Sequence, residues 1–260
     1  MTTWRIPFKR AWDWRSAELS PEAAQKLDRD FEYIEKALNS LQSGGGAPNQ
    51  ASFYTSDAFT RGAPSAITLG STDAFWGGSA LAWSVVGTGT WGISSTVNQL
   101  ERAWDSGDFA TSWKLATVDV GFVNVSVSAT LIPKTQNTIN GAGICVRFTD
   151  ISNFYYLTLY VDGAGTGFTW RFGKVVAGVD TFFVTMSSPP AADGVRLKLT
   201  VVGSTITAYI NDIPFYVATD TNHSVQTKHG LCHKNDGSAG AAGTHLLGVR
   251  WDDFWVTAPT

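Results

Sequence analysis

Cysteine is nearly absent. Two in 260 residues, Cys145 and Cys232, cannot make a disulfide scaffold, so the fold must rest on a hydrophobic core. They read as free buried thiols or as one cross-strand bridge. Charge is also sparse: 16% of residues are charged and the net charge is −3, so no global field draws nucleic acid or an acidic membrane. No run of 18 apolar residues occurs, which excludes a membrane-spanning helix. The first twenty residues contain no apolar stretch of the kind a secretion signal needs, because Trp, Arg and Lys interrupt them throughout. The expectation is a chain made in a reducing cytoplasm with no export route of its own. Glutamate is missing from most of the chain: after residue 52 it occurs once, at Glu101.

Aromatic residues, by contrast, are plentiful: eleven Trp, fifteen Phe and seven Tyr. Hydrophobic content of 43% supports a folded globule. The ordering of the apolar residues changes at one place. Ala24, Leu27, Phe31, Ile34, Leu38 and Leu41 are spaced 3, 4, 3, 4, 3, an a/d seam that predicts a left-handed coiled coil. Ser20 suits the N-cap and Pro21 the first helical position, and Gly44 to Gly46 end the pattern. A helix this short is marginal alone in water, so it needs partners. Copies of itself, another chain or its own neighbouring domain would serve; the seam favours self-association, and the bulk of Phe31 at an a position favours three strands.

Residues 1–19 set Trp4, Pro7, Phe8, Trp12 and Trp14 among Arg5, Lys9, Arg10 and Arg15. So dense an apolar set is costly to expose. It reads as a segment that docks into another protein, or one that folds back on this chain. Residues 20–42 form the expected stalk helix, and 43–52 (Ser-Gly-Gly-Gly-Ala-Pro-Asn-Gln-Ala-Ser) a linker. From residue 53 to 260 the period is 2. Val123, Val125, Val127, Ala129 and Leu131 alternate with polar residues, and the same holds across 144–148, 155–161 and 195–201. Gly203-Ser204 and Asn211-Asp212 mark hairpin turns. The pattern predicts antiparallel sheets with one face on a core, about a dozen strands arranged as a jelly-roll sandwich.

The order of short segments in this region resembles a known family. Asp57-Ala58-Phe59-Thr60-Arg61 opens it; Leu69 to Asp73, Trp83 and Gly89-Thr90-Trp91-Gly92-Ile93 follow. Gly141 to Ile144 leads to Arg147-Phe148-Thr149-Asp150 and Asn153-Phe154-Tyr155, and Trp251-Asp252-Asp253-Phe254-Trp255-Val256 closes it. This is similar to the concanavalin A-like (laminin-G-like) jelly-roll domains of phage tail proteins, fibres and carbohydrate-binding modules. With the stalk in front, the whole resembles a phage tail fibre or minor tail protein. The resemblance implies a virion location after assembly in the host cytoplasm, other virion proteins as partners of the N-terminus, and host surface glycan as ligand of the head. It requires no cofactor; a structural calcium where the terminal strands meet would use Asp57 and Asp252.

The chemistry-bearing residues argue for binding over catalysis. Sugar hydrolases of the resembled fold use a glutamate pair on one strand, and the head has one glutamate. Aspartates could act in pairs, but Asp252 and Asp253 are adjacent and face opposite ways on a strand. The four histidines, His223, His229, His233 and His245, lack metal-motif spacing. Alternation places Arg147, Tyr156, Tyr160, Arg171 and Tyr209 on outward faces, where aromatic rings could stack on sugars and guanidinium groups could bond hydroxyls. Trp170 shares a face with Phe168 and Phe172 and reads as core, while Trp76, Trp104 and Trp113 fall near strand ends and read as exposed. The expectation is a non-enzymatic, trimeric virion appendage with a glycan-binding head. A decoration fibre without receptor role, and a carbohydrate-active enzyme or secreted binding module, remain as alternatives.

Overall fold

The chain divides into two units, Met1–Ser52 and Phe53–Thr260. The computed structural model describes residues 53–59, 69–73, 80–87, 90–93, 99–103, 112–133, 140–161, 168–188, 194–235 and 246–259. All belong to the second unit. The docking residues Trp4, Pro7, Phe8, Trp12 and Trp14 and the seam Ala24, Leu27, Phe31, Ile34, Leu38 and Leu41 therefore lie outside the described residues.

Among the described residues every regular element is a strand. In chain order these are β1 (Phe53–Asp57), β2 (Ser84–Val86), β3 (Thr90–Ile93), β4 (Leu100–Ala103) and β5 (Ser112–Asp119). Then come β6 (Val125–Pro133), β7 (Asn140–Asp150), β8 (Asn153–Val161), β9 (Phe168–Val176) and β10 (Val179–Ser188). The last five are β11 (Val195–Val202), β12 (Thr205–Ile210), β13 (Ile213–Thr219), β14 (Lys228–Asn235) and β15 (Leu246–Thr257). They form two antiparallel sheets. The 8-stranded sheet runs β13-β12-β11-β6-β15-β4-β3, with β1 also paired to β15; the 7-stranded sheet runs β10-β9-β8-β7-β14-β5-β2. The chain passes repeatedly from one sheet to the other, the connectivity of a jelly-roll sandwich.

Local sequence explains the tight hairpins. Ala177-Gly178 and Asn211-Asp212 both hold two successive left-handed residues, as a two-residue turn matched to strand twist requires. Gly203 supplies the single positive φ of the β11–β12 turn.

The inter-sheet core follows the period-2 pattern. From the 8-stranded sheet come Val125, Val127, Leu131, Leu197, Leu199, Val201, Trp251 and Phe254. From the 7-stranded sheet come Ile144, Tyr155, Leu157, Leu159, Trp170, Phe172 and Leu231. Each fully buried side chain of this kind stabilises the fold by about 1.5–3 kcal/mol before entropy is counted. Trp251 donates from Nε1 to the Gly143 carbonyl at 3.0 Å and packs on Trp91, joining the sheets at the centre.

The 7-stranded sheet is not one-sided. Its other alternation, Trp113, Leu115, Cys145, Phe148, Phe154, Tyr156, Val175 and Cys232, forms a second buried cluster on the face turned away from the sandwich. This is possible because the sheet curls. Trp113 on β5 and Tyr156 on β8 are three strand spacings apart, about 14 Å sideways, and about 13 Å apart along the strands in a flat sheet. Their ring centroids nevertheless lie 4.6 Å apart. Lys234 on β14 and Asp180 on β10 are four spacings apart, yet Nζ and Oδ2 approach to 2.7 Å. Glycine permits the curl. A Cβ on Gly143 would run into the Leu157 carbonyl, and one on Gly230 into the Ala116 carbonyl, both backbone atoms of the adjacent strand. The expectation of sheets with one solvated face thus holds poorly for this sheet.

Candidate functional site

Three of the residues expected on outward faces share the outer side of the 7-stranded sheet, but they do not stand free. Tyr156 is buried within the second cluster. Its ring packs on Trp113, and its hydroxyl donates to Asp180. Burial, with the Asp180 charge second, pushes its phenol well above the usual tyrosine range. Lys234 closes the same carboxylate from the far side and lies 5.3 Å from the Trp113 ring centroid. Trp113 is itself buried, against the exposed position expected for it. These rings fill the hollow of the curled sheet instead of lining an open trough.

Tyr160 and Arg171 meet at the margin of that face. Tyr160 is buried, one side of its ring lying over Gly141, where an added Cβ would come within 2.7 Å of the ring. The Arg171 guanidinium lies on the ring, 3.7 Å from its centroid, and 5.3 Å from the centroid of Phe182. Phe182 is 45% exposed. Arg171 is half-buried, and its Nε is enclosed with no hydrogen-bond partner among the described residues. Thr185 pairs directly across from Arg171, and Thr169 pairs with Ser187 in the next row of the same face. Thr185 and Ser187 are exposed. The result is a layered stack, ring–guanidinium–ring, open to solvent at β10 and bordered by hydroxyls. Phe182, Asp180 and Lys234 were not singled out in the sequence; the mix of Phe182 with Thr181, Thr185 and Ser187 on one strand was the available signal.

Arg147 is elsewhere and is fully buried, which corrects its outward placement. The irregular β7 backbone gives it φ 52, and this turns the side chain off the regular alternation. Its Nε donates to the Val123 carbonyl at 3.2 Å, and Nη2 donates to the Gly203 carbonyl at 2.7 Å and Asn124 Oδ1 at 3.4 Å. It is a strut from the end of β7 to the β11–β12 turn. Burial lowers its affinity for the proton, and no carboxylate pairs with it among the described residues. Tyr209 is on the other sheet, half-buried, with Lys198 Nζ 4.4 Å from its ring centroid and Asp212 bonded to the same ammonium at 2.7 Å. Tyr160 and Arg171 are therefore the pair brought together, with Tyr156 behind them and Arg147 and Tyr209 apart.

The metal and acid–base candidates have structural partners. Asp57 accepts from Trp83 Nε1 at 2.8 Å on Oδ2 and from the Phe59 amide at 2.9 Å on Oδ1. Asp252 accepts from the Asp253 amide at 2.9 Å. Oxygens facing N–H donors do not suit calcium, which takes six to eight oxygen ligands. Among the described residues no group of three acidic, His or Cys side chains could hold a metal ion. Asp57 and Asp252 do not fit a calcium site on these contacts. His229 takes the Arg147 amide proton on Nδ1 and bonds the Phe122 carbonyl through Nε2, and burial pushes its pKa down to about 4. His233 faces Trp251 edge-on.

Neither a protein-family model nor a curated protein matches the sequence. The fold does match solved structures. The CBM2 module of Lactobacillus casei BL23 phage J-1 evolved Dit aligns over 79% of this chain and 94% of its own, with 12% identity and a TM-score of 0.51. Bacillus licheniformis β-glucanase aligns over 78% of this chain and 96% of its own, with 12% identity and a TM-score of 0.50. The GH43 BlXynB protein from Bacillus licheniformis aligns over 78% of this chain but 39% of its own, with 14% identity and a TM-score of 0.52. At these identities the likeness establishes the jelly-roll sandwich fold.

Proposed function

We propose that the chain is a non-enzymatic phage virion appendage, a tail fibre or minor tail protein, whose head binds host surface carbohydrate at the Arg171 stack. Residues 1–19 dock to other virion proteins, and 20–42 hold three copies together through the seam from Ala24 to Leu41. The observation that carries the binding role is Arg171 itself. Its half-buried guanidinium lies on the Tyr160 ring and beside the Phe182 ring, which is open to solvent together with Thr185 and Ser187. An aromatic face packs on the C–H face of a pyranose, and guanidinium N–H groups with neighbouring threonine and serine bond its hydroxyls. The fold has a precedent in a phage protein, the Dit module. The single glutamate after residue 52, Glu101, supports binding without hydrolysis.

The full-length chain on a glycan array and on host cells tests the reading. Binding to a defined glycan is expected, with Arg171→Ala weakening it at least about tenfold, since a charge-assisted hydrogen bond is worth about 1.5–3 kcal/mol. The thermal midpoint should change little. A silent array with intact virion incorporation would instead identify a decoration fibre. Polysaccharide cleavage, abolished by an Asp→Asn change in the head, would identify an enzyme.

A further inference from the structure

One side of the sandwich is unusually apolar. β10 ends the 7-stranded sheet and β13 ends the 8-stranded sheet. The two strands flank the same opening, because Phe172 of the core touches both Phe183 and Tyr216, at 5.0 and 6.0 Å between centroids. Lys174 next to β10 also bonds Asp220 beyond β13. Phe183, Val184, Phe215 and Tyr216 leave the core partly open there. Val179 and Met186 on β10 and Ile213 on β13 are exposed on the side of this opening, Ile213 to 68% and Val179 to 65%, while Phe182, Thr185 and Ser187 lie on the opposite face of β10. Neither strand contains a lysine, arginine or glutamate, and the one acid, Asp180, is paired with Lys234.

Free sheet edges are normally guarded by charge, proline or bulges. Here β10 has a bulge between Phe182 and Val184, and β13 carries Pro214 and an irregular register against β12. These features oppose strand addition by a peptide, but they leave the apolar side chains facing outward. What fits is side-chain packing against a surface equally free of charge. A strip about 34 Å long and one sheet separation, about 10 Å, wide covers on the order of 340 Å². A stable independent interface needs roughly 800 Å² from each partner. The strip is too small to recruit a free partner and large enough to matter once copies are tethered, when effective concentration reaches the millimolar range. In three copies the strips would converge on the three-fold axis, where an uncharged patch meets its own copies without repulsion.

We infer that neighbouring heads of the oligomer pack on one another through the β10–β13 strip. The inference rests on the self-association proposed for the 24–41 seam, so its test reads the two separately. Sedimentation reports the oligomer, and amide hydrogen exchange reports the strip, in the full-length chain and in a chain carrying Phe31→Asp and Ile34→Asp. The wild-type chain should sediment as an oligomer, with amides of 179–186 and 213–217 exchanging at least about tenfold slower than in the doubly substituted monomer. Amides of β11 should exchange alike in both. Val179→Lys with Ile213→Lys, at exposed positions that carry little folding cost, should release that protection while the oligomer persists. An oligomer whose strip exchanges as fast as the monomer's overturns head packing and leaves the seam standing. Protection that survives in the monomer, or that survives the two lysines, means another part of the same chain covers the strip and overturns the inference. A wild-type monomer overturns the seam and the packing together.

Discussion

The inter-sheet core and the cluster on the outer side of the 7-stranded sheet are built from the two alternations of the same strands. On β8, Tyr155, Leu157 and Leu159 point into the sandwich while Phe154 and Tyr156 point out of it, and all five are buried. On β11 of the other sheet, Val195, Leu197, Leu199 and Val201 point in while Arg196 and Lys198 alternate with them, half-exposed. One sheet has a single apolar face and carries polar side chains on the other, Ser126, Ser128, Thr130 and Thr200 being buried and Arg196 and Lys198 half-exposed. The second sheet is apolar on both faces and curls until its outer side chains close on each other. An aromatic residue on an outward alternation is therefore no evidence of a ligand platform. Curvature decides whether it meets a sugar or a neighbouring ring.

Removing one large ring from each region separates a core from a platform most directly. Trp251→Ala should cost about 3–5 kcal/mol, since it deletes the ring between the sheets and its hydrogen bond to the Gly143 carbonyl. Trp113→Ala should cost the same order, about 3 kcal/mol, if the outer cluster is a true core. Urea unfolding measures both. A cost under about 1 kcal/mol for Trp113 would return that face to the role of a binding surface.

His229, at the end where Arg147 is anchored, gives the next largest effect. In the folded chain it stays neutral down to about pH 4, because burial opposes the charge and the Arg147 guanidinium adds to that; the Phe122 carbonyl and Asp119 work the other way. In the unfolded chain it protonates near pH 6.5. The unfolded state binds the extra proton between those values, so stability is full above about pH 6.5 and falls toward pH 4 by up to about 3 kcal/mol. In His229→Gln the stability curve should flatten across this window. A curve as steep as the wild type's would assign the acid sensitivity to another group.

Gly143→Ala probes the curl without deleting anything. The new methyl meets the Leu157 carbonyl, so the β7–β8 ladder must shift, at about 1–3 kcal/mol. Because the outer rings meet only in a curled sheet, the Trp113 contribution to the fluorescence, read as the difference from the same chain carrying Trp113→Phe, should change as well. An unaltered spectrum would show that the curl does not depend on this close approach.

How far all this was legible follows from the kind of signal each residue gives. The jelly-roll fold and the turns at Gly203-Ser204 and Asn211-Asp212 lay in plain view, since a period of 2 and such dipeptides are local, whereas Ala177-Gly178 gave a weaker signal. The two-faced character of β8 was visible in part. Phe154-Tyr155-Tyr156-Leu157 is a continuous apolar run, which belongs to a strand buried on both sides. Arg147 was beyond reach, because an irregularity of backbone with a positive φ reverses side-chain direction and leaves no mark on the pattern. The Tyr160–Arg171 pairing was half legible: both alternations were right, but only the sheet order makes β8 and β9 neighbours.

The smallest effect separates a clasp from a coincidence. Asp180 and Lys234 come from strands four positions apart and meet over the Tyr156 hydroxyl. Both side chains remain partly wetted, 19% and 16% exposed, so screening limits their pairing to about 0.5–1 kcal/mol. A double-mutant cycle with Asp180→Asn and Lys234→Met should show a coupling of that size, shrinking in high salt. Tyr156→Phe in the Asp180→Asn background should then add little, since the hydroxyl has already lost its charged acceptor. Coupling of zero would mean that the rings alone hold the curl and that the ion pair merely sits above it. The sugar binding proposed at Arg171 should survive every member of this cycle, because the stack with Tyr160 and Phe182 uses neither charge.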